Sequence, residues 1–153
     1  MKILLADDTE LIREGLKSML LQLPNPAICP EIRTACNGAE ALNFMREHPA
    51  DLLITDIRMP DVDGIELMRQ CRSQWANTSI VVISGYDDFK YAQQAIEYGA
   101  SAYLLKPVDK QELYRVVEKV WQSANARRAT IVNTSYSLFV NYLRGESSNA
   151  GIL

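Results

Sequence analysis

The sequence predicts an α/β protein with a flavodoxin-like (βα)5 fold, a doubly wound parallel sheet covered by helices on both faces. The first observation is that short apolar runs alternate with helical patterns through residues 1–124. The second is that each run has only four or five residues, which is typical of a buried strand and too short for a helix. Such alternation indicates a parallel sheet, and right-handed crossovers favour the strand order 2-1-3-4-5.

The five strands are predicted from runs of β-forming residues that lie between polar or turn-forming ones. The second run alternates polar and apolar residues, whereas the others are almost wholly apolar, as expected for strands that are buried on both faces. The predicted strands are 2–6, 31–35, 52–55, 79–83 and 102–105.

The five helices are predicted from apolar residues at helical spacing and from breakers at their ends. The first ends before Pro24 and the second before Pro49, because a proline interrupts a helix. The fourth stops at Gly99, a residue type common just past helix C-termini, and Asp109 caps the start of the fifth. The helical patterns cover about residues 11–23, 39–48, 64–75, 87–98 and 110–122.

Residues 125–153 differ from the preceding part of the chain and are predicted to form a helical extension. Apolar residues at 131–143 fall on one helical face, and this helix is expected to end near Gly145. Residues 147–153 show no pattern and are expected to be disordered. We interpret the extension as a linker to an effector domain absent from this chain; packing on the first domain and dimerisation through 131–143 are the alternatives.

The bulk composition excludes several classes of protein. The 153 residues carry a formal net charge of −3, which argues against a nucleic-acid surface on this chain. A single histidine, His48, argues against a zinc site or a Ser-His-Asp triad. Three cysteines, Cys29, Cys36 and Cys71, indicate free thiols in a reducing compartment. No apolar run reaches transmembrane length, so the sequence predicts a cytoplasmic protein without a membrane partner.

Three aspartates follow two of the predicted strands where each strand ends. Asp7 and Asp8 follow the first strand, and Asp56 follows the third, its neighbour in the order 2-1-3-4-5. Parallel strands deliver their carboxyl ends to one edge, so these carboxylates are expected to meet there. Two unit charges about 4 Å apart repel by roughly 4 kcal/mol at an effective dielectric near 20. Such a cluster implies a cation, a proton or chemistry.

Two further polar side chains are predicted at the same edge, since Ser84 follows the fourth strand and Lys106 the fifth. Neither a dinucleotide fingerprint nor a P-loop accompanies them, so the bound group must be small. Acid-rich ligation by oxygen alone suits Mg²⁺. Mg²⁺, a lysine and a hydroxyl are also the set that neutralises a transferring phosphoryl group, and an aspartate can itself be the nucleophile.

Several sequence blocks together resemble the receiver domain of two-component response regulators. They are Asp7-Asp8, DIRMPDVDG at 56–64, SGY at 84–86 and Lys106-Pro107. The resemblance covers residues 1 to about 122. The segment SGYDDFKYA that begins at Ser84 further resembles receivers of the YesN type, which usually precede an AraC-like DNA-binding domain.

The resemblance implies a role for each residue at this edge. Asp56 would be the phosphoacceptor, taking a phosphoryl group from a sensor histidine kinase. Asp8 and Asp56 would bind Mg²⁺ directly, and Asp7 through water. The backbone carbonyl of Arg58 would complete the protein ligands, and Lys106 would pair with the phosphoryl oxygens.

The resemblance also implies how the signal leaves the site. Ser84 would be drawn toward the phosphoryl group, and Tyr103 would turn inward as a coupled switch, in a population shift between two states. The face of the fourth helix, fifth strand and fifth helix would change, and partners or a second copy would bind there. DNA would be contacted only through the absent effector domain. The Lys106–Pro107 bond is expected to be cis.

Arg58, two residues after Asp56, is predicted to affect the lifetime of the phosphorylated state, and it also bears on an alternative function. With Tyr86 it flanks the expected pocket, and both side chains should shield the aspartyl-phosphate from water and lengthen its lifetime.

Two other functions are the alternatives to a phosphorylated switch. A phosphotransferase of the haloacid-dehalogenase type would place a general-acid aspartate where this chain has arginine at position 58. A pseudo-receiver that binds partners without phosphorylation conflicts with the full set of acids, Ser84 and Lys106.

Overall fold

The computed structural model describes residues 1–85 and 89–152 and contains the predicted parallel sheet. Its strands are β1 (Lys2–Ala6), β2 (Glu31–Ala35), β3 (Leu52–Thr55), β4 (Ser79–Ser84) and β5 (Ala102–Leu105). They are hydrogen-bonded in the order β2-β1-β3-β4-β5, which confirms the predicted topology. β4 is one residue longer than predicted, because Ser84 pairs with Leu105 of β5.

The helices agree with the sequence patterns to within about two residues at most ends, the usual uncertainty of helix boundaries. They are α1 (Glu10–Leu21), α2 (Gly38–Glu47), α3 (Gly64–Gln74), α4 (Phe89–Glu97) and α5 (Lys110–Ile152). Asp109 Oδ2 accepts a hydrogen bond from the Glu112 amide at 3.0 Å, and Gly99 has a φ of +74°, so both predicted helix ends are confirmed. The expected start of α4 near residue 87 lies outside the described residues.

The C-terminal helix corrects the sequence prediction. The helix expected over 131–143 is present, but it is part of the single helix α5, which continues past Gly145 to Ile152. The predicted end near Gly145 and the predicted disorder of 147–152 are therefore wrong. No proline occurs within α5, and a glycine costs a helix only about 1 kcal/mol without blocking it.

The chain divides into two compact units, Met1–Val120 and the residues from Trp121 onward. The predicted division at residue 124, and the interpretation of the extension as a linker, stay predictions. Although α5 has 43 residues, none of the helices described here combines the length and the apolar character that spanning a bilayer requires.

The centre of the sheet is buried on both faces. All residues of β3 are buried, as are Ile3 to Ala6 of β1, whereas the edge strand β2 alternates between exposed and half-buried positions before the buried Ala35. Fully burying one Leu or Ile side chain contributes about 1.5–3 kcal/mol. The central strands thus form a stiff support for the residues that follow them at the carboxyl edge.

Candidate functional site

The carboxyl ends of β1 and β3 bring three aspartates together. Ala6 is the register partner of Thr55, so the residues after them, Asp7 and Asp56, lie beside each other at the topological switch point. One carboxylate oxygen from each of Asp7, Asp8 and Asp56 lies within 4.8 Å of the other two. Asp7 and Asp56 are buried, and Asp8 is exposed. The predicted cluster is therefore present, with one member open to solvent.

Lys106 joins this cluster from the end of β5. Its Nζ donates to Asp7 Oδ2 at 2.9 Å and to Asp56 Oδ2 at 3.1 Å. Its backbone amide donates to the carbonyl of Ser84 at 2.8 Å, and the following bond to Pro107 is cis, as predicted. Together, this one ammonium and the three carboxylates of the cluster have a formal charge of −2. A divalent cation would balance that charge.

The buried charges shift the acidity of the site. Burial raises the pKa of the Asp56 carboxyl above its usual value; the charge and hydrogen bond of Lys106 oppose this shift, and the negative charge of Asp7 adds to it. Burial alone would lower the pKa of Lys106, but the hydrogen bond to Asp7 and the charge on Asp56 outweigh it and raise that pKa. The lysine is therefore firmly protonated. The Asp56 carboxylate is poorly solvated and needs a cationic partner.

Backbone amides hold the two buried carboxylates in fixed orientations. The Ile57 amide donates to Asp56 Oδ1 at 2.8 Å, and the Thr9 amide donates to Asp7 Oδ1 at 2.8 Å. In both aspartates Oδ2 is left to face Lys106. Both Oδ2 atoms are thus oriented before any ligand arrives, which lowers the cost of ordering the site.

Three residues that support the site were not assigned to it by sequence reasoning. Arg13 Nη1 donates to the Asp7 carbonyl at 2.7 Å, and the buried Thr55 Oγ1 donates to the Asp56 carbonyl at 2.8 Å. A Cβ at Gly64 would lie 2.0 Å from the Asp56 carbonyl oxygen, so only glycine fits there. The polar Thr55 at the end of an apolar run could have indicated, from the sequence alone, a residue that supports the site. Gly64 belongs to the DIRMPDVDG block that begins at Asp56, although sequence reasoning gave it no role in the site. Nothing in the local sequence pattern links Arg13 to Asp7.

The other predicted residues that the structure describes lie at or near the same edge. Ser84 is fully buried as the last residue of β4, and Tyr103 is half-buried and packs against the hydrophobic core. Arg58 and Asp8, together with Tyr91 of α4, line an open groove of about 370 Å³ beside the cluster. Tyr86 lies outside the described residues. The structure thus brings Asp8 and Arg58 to one opening.

This fold and edge define a class of doubly wound α/β domain with carboxylates and one lysine at the switch point. Residues 3–118 match the family described as the response regulator receiver domain. The chain belongs to that family. The predicted resemblance is confirmed at this level, whereas the YesN and AraC-like subfamily stays a prediction.

Curated relatives support the family and are longer than this chain. An uncharacterized response regulatory protein of Staphylococcus epidermidis is 38% identical over 117 residues, which are 76% of this chain and 45% of that protein. The transcriptional regulatory protein HptR of Staphylococcus aureus is 38% identical over 112 residues, 73% of this chain and 43% of that protein. The chain therefore spans less than half the length of these relatives.

Solved structures support the fold. The receiver domain of AraT, a response regulator from Geobacillus stearothermophilus, is 39% identical with a TM-score of 0.74 and matches 83% of this chain and 97% of that one. The signal receiver domain of an HD domain-containing protein from Pseudomonas fluorescens is 28% identical with a TM-score of 0.75, covering 82% and 97%. Both neighbours are receiver domains, as this chain is.

Proposed function

We propose that this receiver domain is a switch in which Asp56 accepts a phosphoryl group in a Mg²⁺-dependent reaction. The observation that carries the proposal is the meeting of the buried Asp56 carboxylate with Asp7, Asp8 and Lys106. Three acids and one ammonium in one pocket disfavour an empty site and favour a cation with a phosphoryl group. A structural ion pair alone would need only one acid for one lysine.

The proposed donor is a phosphohistidine on a sensor histidine kinase. A carboxylate oxygen of Asp56 attacks phosphorus, the O–P bond forms as the P–N bond breaks, and the imidazole leaves with the bonding electron pair. Lys106 holds its ammonium where charge gathers on the phosphoryl oxygens, having been pre-positioned by Asp7 and Asp56. The product is an aspartyl-phosphate.

The donor set fits Mg²⁺. Asp8 and Asp56 would bind the ion directly, Asp7 through water, and the carbonyl of Arg58 would complete the protein ligands. This set consists of oxygen atoms alone, which is the ligation that Mg²⁺ prefers. When bound, the ion would neutralise charge on the transferred group.

The proposed output is a change in the face formed by α4, β5 and the first turns of α5. Ser84 would hydrogen-bond the phosphoryl group, and Tyr103 would follow as a coupled switch. The partner controlled in this way would be a transcriptional effector domain of the YesN and AraC-like kind, consistent with relatives more than twice as long as the matched region. Homodimerisation through this face or through 131–143, and a cytoplasmic location, belong to the same proposal.

The test is phosphorylation by a small donor. The chain is incubated with acetyl phosphate and Mg²⁺, and we expect one phosphate of added mass that is lost in Asp56→Asn. Asp61→Asn, which alters an exposed acid outside the cluster, is the control and should still gain it. Absence of any gain in the wild type would favour a pseudo-receiver. Rapid turnover of an added phosphoester would favour an enzyme.

A further inference from the structure

Arg72, in the last turn of α3, binds four backbone carbonyls in two separate segments. Its Nε donates to the Tyr98 carbonyl at 3.1 Å and its Nη2 to the Gly99 carbonyl at 3.2 Å. Its Nη1 donates to the carbonyls of Ala76 and Thr78 at 3.0 and 3.2 Å. One guanidinium therefore links the end of α4 to the loop between α3 and β4.

This contact holds the turn that directly follows α4. The two carbonyls belong to Tyr98 and Gly99, just past the last helical residue Glu97, where the partial negative charge of the helix end favours a cation. Gly99 has a φ of +74° and turns the chain away at this point. The guanidinium presents its donors as a rigid planar fork, whereas a lysine offers one mobile point charge. The position therefore requires arginine.

The anchored end of α4 lies far from the phosphorylation site. α4 follows the carboxyl end of β4, where Ser84 lies, and its own C-terminus returns to the opposite edge of the parallel sheet. The nine residues of α4 span about 13 Å. A tilt of about 10° around a fixed far end would move the near end by roughly 2 Å over that length.

Apolar packing restrains the same end. Ala95 is fully buried, and Tyr98 is half-buried against the core. By contrast, Ile96 is 74% exposed on the outer side of the helix. Tyr91, near the start of α4, also packs against the core, but it lines the open groove beside Asp8. Among the α4 residues whose burial is described, Ala95 near the anchored end is the fully buried one.

We propose that Arg72 is a positioning residue that fixes the C-terminal end of α4, so that phosphorylation of Asp56 tilts α4 about this end instead of shifting the whole helix. The tilt rests on the proposed function of Asp56. The anchoring itself does not, since it belongs to the unphosphorylated chain. The two parts can therefore fail separately.

Amide hydrogen exchange on the full chain tests both parts. The Gly99 and Ala100 amides donate to Ile96 and Ala95 at 2.9 Å and report the anchored end. The Gln93 and Gln94 amides close the first turns of α4 and report the near end. In the wild type treated with acetyl phosphate and Mg²⁺, exchange should change at the near end and stay constant at the anchored end.

Arg72→Gln should release the anchored end. In the unphosphorylated variant, the Gly99 and Ala100 amides should exchange faster by about tenfold or more, because charge-assisted hydrogen bonds are lost. Phosphorylation should then change exchange at both ends of α4. Arg69→Gln is the matched control, since Arg69 lies on the same helix and bonds Glu66 on the surface. It should behave as the wild type.

Several outcomes would overturn the proposal. If Arg72→Gln matches Arg69→Gln at Gly99 and Ala100, or if exchange in β3 accelerates equally, Arg72 has no local anchoring role. If both ends of wild-type α4 respond equally to phosphorylation, the tilt is wrong. If the wild type gains no phosphate, the proposed function fails and the tilt with it, and the anchoring is judged from the unphosphorylated chain.

A second variant, Arg72→Lys, tests the same role if Arg72→Gln does not fold. Arg72→Lys keeps the positive charge at the end of α4 but loses the planar fork. We expect intermediate exchange at Gly99 and Ala100. Exchange equal to the wild type would show that charge alone suffices and would overturn the role of the guanidinium.

Discussion

At the scale of single residues, the buried charge on Asp56 lowers the stability of the folded chain. Asp56 is 7% exposed, and its carboxylate accepts a hydrogen bond from one backbone amide and shares Lys106 with Asp7. Burial raises its pKa, whereas the unfolded chain has an ordinary aspartate with a pKa of about 4. The folded state thus keeps the proton over a range in which the unfolded state has released it. Stability falls as pH rises through that range, and the cost persists above it.

We therefore predict that Asp56→Asn stabilises the chain at neutral pH in the presence of a chelator, by an amount of the order usual for single substitutions, about 1 kcal/mol. The difference from the wild type should shrink toward zero as pH falls below about 4, where the carboxyl is neutral in both states. Urea unfolding at a series of pH values measures it, with Asp61→Asn as control. A less stable Asp56→Asn at neutral pH would contradict the prediction.

Arg58 carries a second prediction at this scale. It is exposed and lines the groove that Asp8 also lines, so it can cover the opening of the site. Excluding water slows hydrolysis of a reactive intermediate. Arg58→Ala should therefore lose phosphate faster after the donor is removed, as followed by mass, whereas Arg69→Ala should match the wild type. Equal rates for Arg58→Ala and the wild type would disprove the shielding role.

At the scale of elements, the helix starts and ends decide how closely the backbone approaches the site. α3 begins at Gly64, whose amide donates to the Ile57 carbonyl at 2.7 Å, and Asp63 caps the helix by accepting from the Glu66 amide at 2.8 Å. This turn presses the start of α3 against the chain just after Asp56. By contrast, a Cβ added at Gly15, in the middle of α1, would meet no other described segment of the chain within 4 Å.

The two glycines give opposite predictions for the same substitution. Gly64→Ala places its Cβ against backbone that cannot move aside easily, so we expect a loss of more than about 2 kcal/mol in the free energy of unfolding. Gly15→Ala meets open space and should stabilise α1 by about 1 kcal/mol. Urea unfolding of both variants measures these values. Similar effects of the two substitutions would refute the close-approach argument.

At the scale of the whole molecule, ion binding should couple to the stability of the unit Met1–Val120. The cluster joins residues that follow β1 and β3 with Lys106, which follows β5, so it exists only when the sheet is assembled. A ligand that binds only the folded state stabilises it by RT ln(1 + [L]/Kd), or about 1.4 kcal/mol at ten times Kd. Binding of Mg²⁺ should therefore raise the midpoint temperature of thermal unfolding.

We predict that Mg²⁺ raises the thermal midpoint by a few degrees and that a chelator reverses the gain. Asp8→Asn removes a proposed ligand from the exposed side of the cluster and should reduce the gain. Asp61→Asn should retain it. Calorimetry in matched buffers measures the effect, and an equal gain in Asp8→Asn would exclude this cluster as the source.

Sequence reasoning worked where the physical signal is local. Strand lengths, the glycine after α4 and the cap at Asp109 follow from residue type and neighbours, and the structure agrees. The cis bond before Pro107, which the family resemblance implied, is also present. Sequence reasoning failed at α5, because neither Gly145 nor a loss of apolar periodicity suffices to end a helix that has no proline. The fate of such a segment depends on more than its own pattern.

The sequence by itself determined the sheet order and the gathering of Asp7, Asp8 and Asp56 at one edge, since alternating strands and helices permit few topologies. Only the tertiary structure decided which carboxylate oxygens face Lys106, and that Arg13 supports Asp7. It also decided that Arg72 donates hydrogen bonds to carbonyls 26 and 27 residues away. Hydrogen bonds between distant segments depend on three-dimensional packing, and no local pattern encodes them.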